Sequence, residues 1–369
     1  MKEQIYCIGC GATIQTEAKD KIGYTPSSVL QKQQEQDADI YCQRCFRLRH
    51  YNEIQDVSLT DDDFLRLMQD LRNQNALIIN VIDIFDFNGS LINGLQRFIG
   101  DNDLLILGNK RDLLPKSLKE GKLTQWMKER CHEIGLRPVD IKLVSAKKKN
   151  DIDSLLKIIE KYRKGRDVYI VGVTNVGKST LINAIINQSI GEQNLITTSH
   201  FPGTTLDLIE IPLDDGHYII DTPGIIHREQ MAHYLQPEAL KLTMPKKEIK
   251  PKSYQLNAGQ TLFLGGLARF DYVQGDKGSF IVYLANTLNI HRTKLDGADA
   301  FYQKHQGELL QPIFESGEKP LTLERFEFHV EHKTDIVFSG LGWITAKQAG
   351  VVAGWVPKGV KVVKRKALI

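Results

Sequence analysis

The chain has 369 residues, of which 41% are hydrophobic and 25% charged, and its formal net charge is +3 at pH 7. Domains usually hold about 100 to 200 residues, so this length favours two or three domains, and the composition excludes a largely disordered or fibrous chain. No run of about 20 apolar residues and no apolar stretch near the N-terminus is present, so we expect a cytoplasmic protein with no membrane partner.

The first predicted element is a metal-binding segment. Cys7 and Cys10 form one C-x-x-C pair, and Cys42 and Cys45 form a second pair after 31 intervening residues. Four thiolates in two such pairs are typical of a closed tetrahedral Zn²⁺ site, which would stabilise a segment with few core residues. We predict a treble-clef-like zinc finger over residues 1–55, ending in a helix; a redox dithiol is the alternative.

Five short apolar runs then alternate with helix-like segments. The runs cover residues 76–83, 104–109, 141–146, 168–173 and 218–222. Continuous apolar strands separated by helices are typical of a sheet that is covered on both faces. We therefore predict an α/β fold with a doubly wound, mostly parallel sheet over residues 56–226.

Two polar loops follow the second and third apolar runs. A buried carboxylate at Asp112 can accept hydrogen bonds from the N1–H and 2-amino groups of guanine, whereas adenine offers no such pair of donors. The predicted base-binding residues of the two loops are Asn109, Lys110 and Asp112, and Ser145, Ala146 and Lys147.

The strongest motif is GVTNVGKS at residues 172–179, which fits G-x-x-x-x-G-K-[ST] between a predicted strand and a predicted helix. Its amide groups can surround a diphosphate, Lys178 supplies a positive charge to the outer phosphates, and the Ser179 hydroxyl can bind Mg²⁺. The predicted phosphate-binding residues are Gly172, Asn175, Val176, Gly177, Lys178, Ser179 and Thr180.

Two further segments are typical of nucleotide switches. Asp221-Thr-Pro-Gly224 ends the fifth apolar run, 43 residues after Lys178, with PGTT at residues 202–205 between them. Asp221 would face the Mg²⁺ ion, and the Gly224 amide would face a terminal phosphate. Thr205, in preference to Thr204, would complete the Mg²⁺ shell only when a third phosphate is bound.

The C-terminal part differs in charge and texture. Residues 225–369 carry 20 Lys and Arg against 14 Asp and Glu, and alternating, glycine-interrupted apolar runs replace the continuous ones. We predict a basic β-rich or α+β domain over residues 227–369. The basic end suits contact with a phosphate backbone, or is a solvated tail. His227, at the start of this part, is expected to be solvated.

The motifs resemble the five G boxes of Ras-like GTPases, but here the guanine-binding loops precede the phosphate loop. Together with the Cys pairs and the basic C-terminal part, this circularly permuted order resembles the bacterial YqeH family of GTPases, as does DIFDFNGS at residues 83–90. The resemblance implies a role in assembly of the small (30S) ribosomal subunit, with that subunit or its rRNA as the partner.

Position 225 is an isoleucine, whereas Ras-like enzymes carry there a glutamine that orients the attacking water. Related GTPases with an asparagine at the position of Asn175 use K⁺ beside the phosphates. The resemblance thus implies slow, K⁺-stimulated GTP hydrolysis with Lys178, Asn175, Thr205, Asp221 and Gly224 in catalytic roles. Alternatively, Asn175 only forms hydrogen bonds within its loop.

The function predicted from these features is a GTP-hydrolysing switch, monomeric, with GTP or GDP, Mg²⁺, Zn²⁺ and K⁺ as cofactors. The alternative is a GTP-gated RNA-binding or chaperone-like module in which hydrolysis is incidental. A tRNA-modification or membrane-trafficking GTPase is weakened, because the sequence has no lipidation motif and no accompanying enzyme domain.

Overall fold

The computed structural model describes residues 5–8, 12–19, 21–35, 40–51, 66, 69–92, 94–191, 208–314 and 323–369. The chain divides into two compact units, each assembled from separate parts of the sequence. Unit 1 consists of Met1–Ile84, Ser90–Arg111 and Glu120–Ile226, and unit 2 consists of Phe85–Gly89, Asp112–Lys119 and His227–Ile369. No helix within the described ranges is both long and apolar enough to cross a bilayer.

Within residues 5–51, unit 1 contains the helices α1 (Ser27–Glu35) and α2 (Gln43–Tyr51). The helix expected after the second Cys pair is therefore present, and it begins inside that pair. The buried cluster of this part consists of three thiols, with Ala12, Ile14 and Tyr41 packed against them. The apolar core formed by the described residues is small and stabilises little by burial alone, and a bound metal would add stability.

Unit 1 is built on a six-stranded sheet with the order β3-β2-β1-β4-β6-β5. The strands are β1 (Ala76–Asp83), β2 (Asp103–Asn109), β3 (Asp140–Leu143), β4 (Asp167–Val171), β5 (Ile209–Pro212) and β6 (Tyr218–Asp221). All neighbours are parallel except β5 and β6. Every residue of β1 is buried, because a central strand of such a sheet is covered on both faces.

The helices of unit 1 that accompany this sheet are α3 (Leu95–Phe98), α4 (Glu120–Glu133), α5 (Lys149–Arg163) and α6 (Lys178–Gly191). In α5, the buried residues Ile152, Leu155 and Ile159 recur at the spacing of one helix face. The expected α/β fold is confirmed, although the edge strand β5, which the sequence analysis missed, makes the sheet mixed.

The register of the parallel strands positions the functional loops. Asp83 at the end of β1 lies opposite Asn109 at the end of β2, and Ile170 of β4 lies opposite Asp221 at the end of β6. Parallel strands bring their carboxyl ends to one edge of the sheet, which is where ligands bind in α/β folds. The loops that carry the predicted motifs therefore begin side by side.

Unit 2 contains two five-stranded antiparallel sheets, ordered β16-β13-β14-β10-β7 and β11-β8-β9-β15-β12. The strands are β7 (Lys252–Leu256), β8 (Gln260–Leu264), β9 (Ala268–Gln274), β10 (Gly278–Leu284), β11 (Ile290–Lys294), β12 (Leu323–Val330), β13 (Thr334–Phe338), β14 (Gly342–Ala346), β15 (Gly350–Pro357) and β16 (Val362–Lys366). Its helices are α7 (Pro237–Thr243) and α8 (Ala298–His305).

One apolar core joins the two sheets of unit 2. The ring of Phe280 on β10 lies 5.3 Å from that of Phe270 and 4.7 Å from that of Tyr272, both on β9 in the other sheet. Edge-to-face pairs of this kind fill a sandwich core efficiently. The expected β-rich character of the C-terminal part is confirmed.

Unit 2 also holds two short segments from the first third of the chain. Asp86 accepts a hydrogen bond from Gln230 Nε2 at 2.8 Å and another from the Gly340 amide at 3.0 Å. The Ile249 amide donates to the Leu113 carbonyl at 2.9 Å. The contiguous domain boundaries 1–55, 56–226 and 227–369 stay a prediction, while the two compact units are discontinuous in the sequence.

Candidate nucleotide-binding site

The predicted phosphate loop links the end of β4 to the start of α6. Gly177 has φ +86°, and a Cβ atom there would lie 2.7 Å from Asn109 Nδ2. A Cβ at Gly172 would lie 3.0 Å from the Val81 carbonyl oxygen. At Gly177, only glycine combines a left-handed backbone conformation with such close approach. At Gly172, the close approach alone leaves little room for a side chain.

Asn109 connects the phosphate loop to both loops predicted to bind the base. Its Nδ2 donates to the Val176 carbonyl at 3.0 Å and to the Gly177 carbonyl at 3.4 Å, and its Oδ1 accepts from the Ala146 amide at 3.3 Å. The side chain is 1% exposed, so these bonds replace hydration that burial removes.

Lys110 forms a second connection. It has φ +63°, and its Nζ donates to Asp83 Oδ2 at 2.7 Å and to the Asn175 carbonyl at 2.6 Å. The next turn, Arg111–Leu113, carries Asp112, which is partly buried. Lys110 therefore links the phosphate loop, through the Asn175 carbonyl, to Asp83 at the end of β1.

The Ser145-Ala146-Lys147 loop is held by α5. Asp151, in the first turn of that helix, accepts a hydrogen bond from the Ser145 amide at 2.8 Å. The Lys147 amide donates to Ser145 Oγ at 3.4 Å. These bonds turn the loop so that the Ala146 amide meets Asn109.

Asp221 lies at the centre of the predicted metal and phosphate region. Its carboxylate is fully buried, its Oδ1 pairs with Lys178 Nζ, and its Oδ2 accepts from an Arg44 guanidinium nitrogen at 2.6 Å. Ser179 is also buried, one residue into α6. A carboxylate and a hydroxyl are the hard oxygen donors that Mg²⁺ prefers, so the residues present fit that ion.

The segment around Gly224 pairs with the start of the phosphate loop. The Ile225 amide donates to the Gly172 carbonyl at 3.1 Å, and the Thr174 amide donates to the Ile225 carbonyl at 2.9 Å. Thr180 is exposed on α6. Thr204 and Thr205 lie outside the described residues, so the predicted contact of Thr205 with Mg²⁺ stays a prediction.

Three of the four predicted zinc ligands meet at one point. One Sγ from each of Cys7, Cys42 and Cys45 lies within 4.8 Å of the others, and all three residues are buried. The Cys42 amide donates to Cys7 Sγ at 3.1 Å, a bond that would stabilise a thiolate. Cys10 lies outside the described residues. The donor set fits Zn²⁺, which thiolates bind in tetrahedral geometry.

Two residues of this region were missed from the sequence. Asp83, which pairs with Lys110, begins the DIFDFNGS segment, but no role was assigned to it. Arg44 lies between the two cysteines of the second pair, and its partner is 177 residues away in the chain. No spacing pattern could indicate that contact, because only the folded sheet brings Asp221 to this position.

One expectation about a histidine is wrong. His227 is not solvated, since its side chain is only 15% exposed, with Glu229 Oε2 3.8 Å from its Nε2. Burial lowers the pKa of His227 below its ordinary value of 6.5; nearby Lys361 lowers it further, and Glu229 acts in the opposite direction. This imidazole is therefore neutral at pH 7.

Comparison with known proteins yields matches over both units. Residues 277–368 match the family described as "YqeH-like, C-terminal", and residues 167–257 match the family described as "50S ribosome-binding GTPase". The "Uncharacterized protein YqeH" of Bacillus subtilis (strain 168) is 56% identical over 370 residues, which is 100% of this chain and 100% of that protein.

More distant similarities extend beyond bacteria. The "NO-associated protein 1, chloroplastic/mitochondrial" of Arabidopsis thaliana is 29% identical, over 95% of this chain and 71% of that protein. A solved structure of GNP-bound YlqF from T. maritima aligns at 25% identity with a TM-score of 0.30, over 44% of this chain and 57% of that chain.

Proposed function

Since the chain belongs to the YqeH family of circularly permuted GTPases, we propose that it hydrolyses GTP as a cytoplasmic switch in assembly of the small ribosomal subunit. The observation that carries the guanine-nucleotide part is the position of Asn109. Its side chain bonds the phosphate loop and the Ala146 loop at once, at 3.0 Å and 3.3 Å. Phosphate binding and base recognition thus share one rigid support.

Different residues of the chain bind the phosphates and the base. The amides of the 172–179 loop and Lys178 hold the phosphates at the start of α6, where the helix dipole favours negative charge. Asp112 accepts from the base, while the Ala146 amide is held by Asn109. Asn109 and Lys110 keep the loops in place before nucleotide arrives, so less ordering free energy is lost on binding.

Mg²⁺ would be held by Ser179, Thr205 and a water molecule oriented by Asp221, and it would supply positive charge to the β and γ phosphates. The Gly224 amide would face the terminal phosphate. Since the Ile225 amide and carbonyl pair with Gly172 and Thr174, movement at Gly224 would reach the phosphate loop directly.

Potassium stimulation is part of the proposal. Ile225 can neither donate nor accept through its side chain, so it cannot orient a water molecule as glutamine does in Ras. Asn175 has φ +66°, and Lys110 Nζ donates to its carbonyl, which keeps the residue in a defined conformation within the phosphate loop. An amide oxygen there is a suitable K⁺ ligand, and the cation would stabilise charge that develops between the phosphates.

The ribosomal part of the proposal depends on charge and family. Residues 225–369 carry 20 basic against 14 acidic residues, which suits a polyanionic partner such as rRNA. One matched family is described by binding to the 50S subunit, whereas we propose the 30S subunit or its precursor. In the alternative, a GTP-gated RNA-binding or chaperone module with incidental hydrolysis, the same basic residues of the 225–369 segment would contact the RNA.

Sedimentation of the full chain with purified 30S and 50S subunits tests this proposal. We expect co-sedimentation with 30S in a non-hydrolysable GTP analogue and less in GDP, at physiological salt. Lys178→Ala, which removes phosphate binding, should abolish the difference between nucleotides. Co-sedimentation with 50S alone, or with neither subunit, would contradict the 30S role. If the chain dissociates from 30S subunits equally fast in GTP and in the non-hydrolysable analogue, the incidental-hydrolysis alternative is favoured.

A further inference from the structure

The two oxygens of Asp221 are each engaged by a different cation. Lys178 Nζ pairs with Oδ1, and an Arg44 guanidinium nitrogen lies 2.6 Å from Oδ2. The side chains of Asp221, Lys178 and Arg44 are 0%, 2% and 4% exposed. Water screens buried charges poorly, so the excess positive charge of this group strongly affects any ion that enters the site.

Arg44 comes from the Cys cluster. It is the second residue of α2 and lies between Cys42 and Cys45, both buried in that cluster. Four metal–thiolate bonds would fix the backbone on both sides of Arg44 and limit where its guanidinium can reach. The cluster and the nucleotide site are thus joined through one side chain within unit 1.

The positive charge of Arg44 has opposite effects on Mg²⁺ and on nucleotide phosphates. Mg²⁺ brings two positive charges to the carboxylate that already faces Lys178 and Arg44, so Arg44 disfavours the ion. Nucleotide phosphates carry negative charge, so Arg44 favours them. Removing Arg44 should therefore weaken metal-free nucleotide binding and, at the same time, strengthen Mg²⁺ binding beside the nucleotide.

We propose that Arg44 competes with Mg²⁺ for Asp221, and that this competition couples the Cys cluster to the nucleotide site. Binding of Mg²⁺ and nucleotide displaces Arg44 from Asp221, and α2 then loses its ion pair with the end of β6. Coupling between sites is reciprocal, so a change in the nucleotide site alters how firmly the cluster holds metal. The inference rests on the proposed GTP switch, because it assigns a regulator to that site.

The first experiment measures how Mg²⁺ tightens binding of a fluorescent GDP analogue to the full, zinc-loaded chain. In Arg44→Gln, the Mg²⁺ concentration at the midpoint should fall about tenfold, within the usual range of coupling between sites. Without added Mg²⁺, the Arg44→Gln variant should bind the GDP analogue more weakly than wild type does. Arg47→Gln makes the same charge change on the same helix and should leave the midpoint within twofold of wild type.

The second experiment follows zinc release from the wild-type chain to a chromogenic chelator. Release should be several-fold faster with Mg²⁺ and a GTP analogue than with GDP and no added Mg²⁺. Arg44→Gln should release zinc at one rate under both conditions, whereas Arg47→Gln should behave as wild type. The wild-type comparison stands alone if Arg44→Gln fails to fold.

The outcomes separate the two levels of the proposal. A wild-type chain that binds no guanine nucleotide overturns the proposed function itself. Two results together overturn only the coupling if the wild-type chain binds GDP. The first is a zinc-release rate that does not depend on the nucleotide, and the second is an Mg²⁺ midpoint that is the same in Arg44→Gln and wild type. A raised Mg²⁺ midpoint in Arg44→Gln also overturns it, because Arg44 would then assist the metal.

Discussion

Asn109 Nδ2 donates to the Val176 carbonyl at 3.0 Å, so a residue predicted to bind the base also holds the phosphate loop. The same side chain accepts from the Ala146 amide, which makes Asn109 a support for three loops rather than a base contact alone. The two donors of its amide group and its single oxygen acceptor are all oriented by neighbours.

Asn109→Asp tests that support. The variant keeps an oxygen for the Ala146 amide but places a second, charged oxygen against the Val176 carbonyl. A buried polar group that loses its partner costs about 1–3 kcal/mol, so we expect GDP affinity to fall about fivefold or more. Isothermal titration calorimetry measures the loss.

Asn102→Asp is the matched control. Asn102 also bonds backbone groups, those of Leu71, Ile99 and Ala76, but at the start of β1 rather than at its carboxyl end. It should lower stability without changing GDP affinity in the folded protein. Equal GDP affinities for Asn109→Asp and Asn102→Asp would argue against the support role.

Gln230→Ala tests the discontinuous composition of unit 2. Gln230 Nε2 donates to Asp86 Oδ2 at 2.8 Å and to the Gly89 carbonyl at 2.6 Å, and the residue is 6% exposed. Losing this donor should lower the free energy of unfolding by about 1–3 kcal/mol. Urea denaturation followed by tryptophan fluorescence measures this change.

Gln236→Ala provides the comparison for Gln230→Ala. Gln236 is exposed and makes no capping bond from its side chain, so its replacement should change stability by less than about 0.5 kcal/mol. Similar losses in the two variants would mean that the bonds to the 85–89 segment contribute little.

His227 predicts a dependence of stability on pH. Burial lowers the pKa of His227 in the folded chain, whereas the unfolded chain takes up a proton at this side chain near pH 6.5. The unfolded state then binds more protons, so the free energy of unfolding decreases as pH falls below 6.5 and is unaffected by this group above it.

Denaturation of wild type and His227→Gln between pH 7.5 and 5.5 isolates that contribution. The variant should lose less stability on acidification than wild type does. His332→Gln, at an exposed position, should follow the wild-type curve. Parallel curves for wild type and His227→Gln would show that His227 titrates normally in the folded chain.

Local patterns predicted the sheet of unit 1 well, because its strands are continuous apolar runs. The bounds expected for β1, residues 76–83, are those observed. The four-residue strand β5 was missed, since IEIP ends in proline and pairs only at the edge of the sheet. Short edge strands give little sequence signal.

Contacts between side chains far apart in the chain could not be predicted from the sequence. Arg44 reaches Asp221 across 177 positions, and Asp86 bonds Gln230 across 144. Each pair forms only because the sheets bring distant loops together. The motifs could predict candidate nucleotide-binding residues, but not which side chains hold those residues in place.

Asn175→Ala tests the role of potassium. We expect the native chain to hydrolyse GTP slowly in 0.2 M NaCl and measurably faster in KCl at about the same ionic strength. The variant should have equal rates in both salts, because the proposed amide ligand is gone. Equal rates for the native chain in both salts would instead indicate that the activating group comes from a partner.

The most direct test of the guanine-nucleotide switch is competition of GTP, ATP and XTP against a fluorescent GDP analogue on the native chain and on Asp112→Asn. The native chain should bind GTP far more tightly than ATP or XTP. Asp112→Asn should lose affinity for GTP and shift its preference toward XTP, whose 2-oxo group can accept from the new amide. Equal binding of ATP and GTP by the native chain would contradict the account.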